Sequence, residues 1–175
     1  MGAAPAAARG MAHLTHWLQT ALLVLFGAVG CAAAQSGTHW PLRDFRTFTL
    51  RAPPDWLASE GAIDSQAGRL SGPDVTLDYD FGPHADPLQK PFGATGLTVQ
   101  AATIDGLPAR WVRFVLPGPA GAATRSCVGI HVPQVRSAPK GPIRFTALAC
   151  TADSAKLALA TQVLATLRFP AQARP

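Results

Sequence analysis

Apolar and polar positions alternate most cleanly at Val75-Thr76-Leu77-Asp78-Tyr79-Asp80-Phe81. Val75, Leu77, Tyr79 and Phe81 fall on one side of an extended chain, and Thr76, Asp78 and Asp80 on the other, which predicts a strand with one buried and one wet face. A second strand candidate, Phe45 to Arg51, is less regular. Phe45 breaks the Phe48/Leu50 alternation, and Ala52-Pro53-Pro54-Asp55 ends the run before Trp56 and Leu57, which read as core cover. A Pro- and Gly-rich loop is expected from Gly82 to Gly96. Beyond it, Leu97–Ile104 and Ala109–Leu116 flank Asp105-Gly106-Leu107-Pro108, a connection with the turn chemistry of a β-hairpin.

The last pair of apolar runs sets its own register. Placing Val132 opposite Phe145, Ile130 opposite Ala147 and Val128 opposite Ala149 makes one face of the pair entirely apolar and sets His131 against Thr146 on the other. The same register brings Cys127 directly opposite Cys150. Its midpoint falls between Ala138 and Pro139, inside Gln134–Pro142, where Pro-Lys-Gly reads as a loop. The final element is a helix from about Asp153 to Leu167. Asp153 or Thr151 is its N-cap, Leu157, Ala160, Val163, Leu164 and Leu167 form its apolar stripe, and Phe169-Pro170 ends it. One helix against several antiparallel strands predicts an α+β domain: an antiparallel β-sheet packed by a C-terminal helix, with the far face at least partly solvated.

The N-terminus changes where this domain is expected to work. Arg9 precedes an apolar run from Trp17 to Gly30 that is too short to span hydrocarbon comfortably, and small residues follow directly, the order of a cleavable signal peptide. Met11 is an alternative start that keeps the whole apolar run. Two cleavage sites compete. Ala32-Ala33-Ala34 fits removal of residues 1–34 and a soluble periplasmic or secreted chain starting at Gln35. Ala28-Val29-Gly30-Cys31 resembles the lipobox of bacterial lipoproteins, which removes residues 1–30 and leaves Cys31 as a lipid-modified membrane anchor. Residues 31–44 then read as a linker, 45–170 as one globular domain and 171–175 as a tail.

Without Arg9, fourteen Lys and Arg face ten Asp and Glu, a net charge of +4. The basic residues form no run, and export removes nucleic acid from reach, so an ordinary basic surface is expected rather than nucleic-acid binding. Sixteen Gly and sixteen Pro punctuate the chain and favour short strands joined by turns. In an oxidising compartment, the two cysteines left after cleavage predict a Cys127–Cys150 disulfide.

Motifs that carry chemistry are scarce. The chain has no G-x-S-x-G elbow, H-E-x-x-H, P-loop, or G-x-G-x-x-G following a strand, and no catalytic residue or cofactor is expected. Ser65 reads as a turn residue. Trp40, Trp56 and Trp111 read as core rather than as the walls of a cleft. One constellation stands out: Asp78 and Asp80 share a strand face, and His84 and Asp86 begin the next loop, a set able to hold a hard cation if the loop folds back. The competing expectation is the solvated face of a half-buried strand, with Gly82-Pro83 carrying the chain away.

Phe48-Thr49-Leu50-Arg51-Ala52-Pro53-Pro54-Asp55-Trp56, Ile104-Asp105-Gly106-Leu107-Pro108-Ala109 and Ala160-Thr161-Gln162-Val163-Leu164-Ala165-Thr166-Leu167-Arg168-Phe169 resemble PsbP-like domains in kind and order. This chain departs from them in lacking a second long helix after Trp56. The resemblance implies an antiparallel sheet with helical cover and a lumenal or envelope-associated accessory role, and it transfers no functional residue. The expected function is therefore that of an exported, non-enzymatic binding or accessory domain whose partner is an envelope protein or ligand. The alternative is a hydrolase or metal-dependent enzyme using Asp78 and Asp80.

Overall fold

The computed structural model describes residues 39–61, 65–73, 75–118 and 122–170. The leader, Cys31, the small residues at 32–34, most of the linker and the 171–175 tail lie outside the described residues. The chain runs through β1 (Leu42–Asp44), β2 (Thr49–Arg51), β3 (Leu57–Glu60), β4 (Gln66–Gly72), β5 (Val75–Gly82), β6 (Thr95–Ile104), β7 (Leu107–Leu116), β8 (Arg125–Ala138), β9 (Gly141–Thr151) and α1 (Ser154–Ala165). β1 and β2 form a small ribbon, and the others make a seven-stranded antiparallel sheet in the order β3-β4-β5-β9-β8-β7-β6. Among the described residues no helix is long and apolar enough to cross a membrane.

The alternation at β5 is realised: Val75, Leu77, Tyr79 and Phe81 are buried, while Asp78 is exposed. In the β8–β9 pair Cys127 faces Cys150, Val128 faces Ala149, Ile130 faces Ala147, His131 faces Thr146 and Val132 faces Phe145. The pair then runs further than expected. Instead of a loop over Gln134–Pro142, the strands continue to Ala138 and Gly141, with a register shift between Val132 and Arg136. Pro133 lies in that shift, where its missing N–H costs no ladder bond. The β6–β7 turn needs only Asp105 and Gly106, at φ +51° and +81°, the left-handed pair of a type I′ hairpin.

The expected strand over Phe45–Arg51 is divided. Residues 45–48 make a tight reversal in which Phe45 N–H donates to Phe48 O, and Arg46, at φ +67°, donates its N–H to Asp44 Oδ1. The reversal turns both phenylalanines inward, with ring centroids 4.7 Å apart, which a straight strand would not allow. Phe48 then meets Tyr79 and Phe145 edge-on, and Phe145 meets Phe169. α1 lies over this cluster with Ala160, Val163 and Leu164 buried, its N-terminus capped by the Asp153 carboxylate accepting from Ala155 N–H. Past the helix, Thr49 and Arg168 exchange both backbone hydrogen bonds at 2.8 Å, which ties the chain end to β2. Asp105 accepts from Phe169 N–H at 2.8 Å, so the hairpin turn also holds that end.

The main core therefore fills the space between one sheet face and a lid made of α1 and the β1–β2 ribbon. Trp56 is buried in it, and Trp40 and Trp111 pack against it. A second, smaller cluster lies on the far face, where Leu88 meets Val112, Phe114 and Cys127. That face is only partly solvated, because residues 83–94 fold back across it.

Candidate functional site

The four metal candidates do not converge. Asp78 projects from the far face as expected, but its carboxylate is taken by Arg69 of the neighbouring strand, Nε to Oδ1 at 2.7 Å, in an exposed pair. Asp80 stands two residues on, between Ala67 of β4 and Thr146 of β9, with Oδ1 buried and without a hydrogen-bond partner. His84 is exposed on the turn closed by Ala85 N–H and Gly82 O. Asp86 uses its side chain locally, Oδ1 accepting from Leu88 N–H at 2.7 Å. The loop does fold back, but over β9, β8 and β7 rather than over Asp78 and Asp80. Among the described residues no group of three or more His, Cys, Asp or Glu side chains is placed to hold a metal ion.

What the fold does assemble on the far face is a polar row running straight across the sheet. Direct cross-strand pairing sets Asp80 beside Thr146, Thr146 beside His131, His131 beside Arg110 and Arg110 beside Ala101. His131 Nδ1 is 2.8 Å from Thr146 Oγ1, and the Thr146 hydroxyl donates to the Asp86 carbonyl at 2.6 Å. Arg110 donates to the Pro87 carbonyl at 2.9 Å. Leu88 closes the arrangement over Gly129, where a Cβ would come within 2.8 Å of Leu88 Cδ1 and 3.0 Å of the Ala147 carbonyl, so the leucine packs directly on bare glycine backbone. Burial first, and then the charges of Arg110 and Arg144, lower the His131 pKa to about 4. The hairpin register already placed His131 against Thr146. Nothing in the sequence showed that the loop would roof them.

A broad concavity lies elsewhere, where the 45–48 reversal, the ends of β3 to β5 and the β8–β9 extension meet. It has a volume of about 650 Å³ and is lined by Arg46, Glu60, Gln66, Phe81, Arg136 and Ile143, among others. Arg136 projects its guanidinium over the Phe81 ring, 5.8 Å from the centroid. Gln66 donates its amide to the Phe45 carbonyl and accepts from the Thr47 hydroxyl, which holds the reversal against β4 and fixes the position of Arg46. Among the described residues neither Arg46 nor Arg136 has an acidic partner, in contrast to Arg69 with Asp78 and Arg168 with Asp105. Sequence reading missed this group because its members are scattered from position 46 to 143 and belong to no motif. Only the β8–β9 extension, itself unforeseen, carries Arg136 into it.

The Cys127–Cys150 disulfide is formed, with Cα atoms 4.1 Å apart and both residues beside the smaller cluster. No protein-family profile matches the chain, and no curated protein matches it. A protein from Bacteroides thetaiotaomicron VPI-5482, known from a crystal structure at 1.50 Å resolution, is similar at 17% identity and a TM-score of 0.44. The match covers 70% of this chain and 45% of that one, so this chain spans less than half the length of its structural neighbour.

Proposed function

We propose that this is an exported cell-envelope domain that works by binding rather than by catalysis, and that it takes a small anionic ligand in the concavity around Arg136. The observation that carries this reading is that two arginines, Arg46 and Arg136, line one groove and neither is ion-paired among the described residues, Glu60 being the acid that shares the lining. The groove's volume of about 650 Å³ suits a small molecule. Phe81 and Ile143 offer an apolar wall, and Arg forks favour carboxylate or phosphate geometry. Glu60 on the rim disfavours a ligand that is anionic throughout and favours one with a neutral or apolar remainder. The disulfide and the leader support an oxidising compartment. An accessory role like that of PsbP-like domains fits the same reading.

Titration of the protein with phenyl phosphate and with inorganic phosphate, followed by amide NMR, tests the ligand. Saturable shifts confined to residues around Phe81 and Arg136, tighter for phenyl phosphate and weakened at least tenfold in Arg136→Ala, support the site. No saturable shift with either compound removes it. Intact mass of the exported chain decides the anchor: a lipid-bearing Cys31 gives a membrane-tethered domain, whereas an unmodified Gln35 start gives a soluble one.

A further inference from the structure

Residues 83–94 form a strap across the sheet face opposite α1, and its hold is local, with Ala85 buried at one end and Ala94 packed on the Leu88 cluster at the other. Thr146 and Arg110 each donate one hydrogen bond to a strap carbonyl, at Asp86 and Pro87. Leu88 is the plug, 4% exposed over Gly129, and its φ of +53° is a conformation a leucine keeps only where its surroundings impose it. His131 stands between the two tethering residues in the row and is 1% exposed beneath the strap. The Thr146 hydroxyl gives its proton to Asp86 O, so His131 must supply its own Nδ1–H to Thr146 Oγ1, as a neutral ring does in one tautomer.

We propose that the strap is an acid-released latch: protonation of His131 favours a form in which residues 83–94 have lifted and the ring is hydrated, while the sheet beneath stays folded. The charged groups facing the ring are Arg110 from β7, Arg144 from β9 and Asp86 from the strap, with Asp80 of β5 beyond Thr146 in the same row; β6 ends the row on uncharged Ala101. A second positive charge beside Arg110 is relieved in two ways. Arg110 swings away and abandons the Pro87 carbonyl, or water reaches the ring and the strap must rise. The first removes one of the two side-chain tethers and the second lifts the whole segment, so both weaken closure of the same strap.

Burial, reinforced by Arg110 and Arg144 and opposed by Asp86, holds the ring near pKa 4 when the strap is closed, against 6.5 for a hydrated histidine. The folded pKa is the depressed one. Closure is therefore fully favoured above pH 6.5 and loses ground as the pH falls toward 4. Hydrogen exchange at pH 7 and pH 5, corrected for the intrinsic pH dependence of exchange, reads this directly. Protection at residues 85–94 should fall about twentyfold between the two pH values, with Trp56 fluorescence unchanged and the Ile130 and Ala147 amides still slower than the strap. His131→Gln should flatten the response. Should that variant not fold, Leu88→Ala provides a second reading: loosening the plug should raise the His131 ring-proton NMR midpoint from near 4 toward 6.5. Strap protection that ignores pH, that changes equally in His131→Gln, or that is lost only together with the sheet core would overturn the latch, as would a His131 midpoint unmoved in Leu88→Ala.

Discussion

The two faces of the sheet are built by different rules. On the helix side Phe45, Phe48, Tyr79, Phe145 and Phe169 meet ring to ring under a regular element whose own backbone is satisfied. On the strap side a loop without regular structure covers a polar row. Its fixed points include two side-chain bonds to its carbonyls and one leucine over a glycine, with the small side chains of Ala85 and Ala94 packed at its two ends. Apolar area is hard to withdraw piecemeal, whereas a loop held by a few bonds can leave without unfolding what lies beneath it. The first face therefore supplies the stability of the domain, and the second supplies what can change.

The helix-side face should show this most strongly. Phe145 is fully buried at the centre of the aromatic cluster, and Phe145→Ala should cost about 4 kcal/mol, read as a lower urea midpoint with an unchanged slope. A loss below about 1 kcal/mol would show that the lid repacks freely, and the contrast between the faces would fail.

The disulfide comes next and belongs to the weaker face. Cys127 belongs to the Leu88 cluster and Cys150 packs against it, so the bond staples β8 to β9 within the smaller of the two apolar clusters. Closing a loop with a sequence separation of 23 should stabilise the fold by roughly 3 kcal/mol on the chain-entropy account. The Cys127→Ala, Cys150→Ala double variant should lose about that much, a large fraction of the ~5–15 kcal/mol that holds a small domain. Thiol titration of the denatured, unreduced protein should find neither cysteine free. Two free thiols would remove the staple.

The same contrast explains what could be read from sequence. Where burial alternates with exposure in a single element the pattern was legible, as in β5, in the β8–β9 register from Cys127 to Val132, and in the stripe of α1. β3 and β4 are not legible in the same way. All four β3 residues are exposed, and β4 buries only Leu70 while carrying Gly68 and Gly72, so neither shows an alternating apolar pattern. The role of the glycines is spatial: a Cβ on Gly72 would strike the Trp56 indole, so the glycine makes room for the ring instead of bending the chain. The strap is legible as a Pro- and Gly-rich loop, but which face a loop crosses is decided by tertiary packing that no local pattern records. The Arg46–Arg136 groove was hidden for the same reason. Of the Asp78, Asp80, His84 and Asp86 constellation, the shared face of the two strand carboxylates was legible and the Arg69 partner was not, because Arg69 lies on the unseen β4.

The smallest expected effect marks the open part of the strap-side face, beyond the reach of the strap. Asp78→Ala removes a carboxylate that is more than half exposed and whose partner Arg69 is equally so. Water solvates both ions nearly as well apart as together, and ordering two side chains offsets much of the attraction, so the change should lie within about 0.5 kcal/mol. A double-mutant cycle with Arg69→Ala should return a coupling of the same small size, decreasing further with added salt. Adding calcium or magnesium should leave the melting temperature of wild type and Asp78→Ala alike unchanged, since one oxygen of Asp78 is already held by Arg69 and no third ligand converges on it among the described residues. A melting temperature that rises with either cation in wild type, and not in an Asp78→Ala, Asp80→Ala double variant, would mean that the orphaned Asp80 oxygen recruits Asp78 away from Arg69. In that case the open face, like the roofed one, would be built to respond.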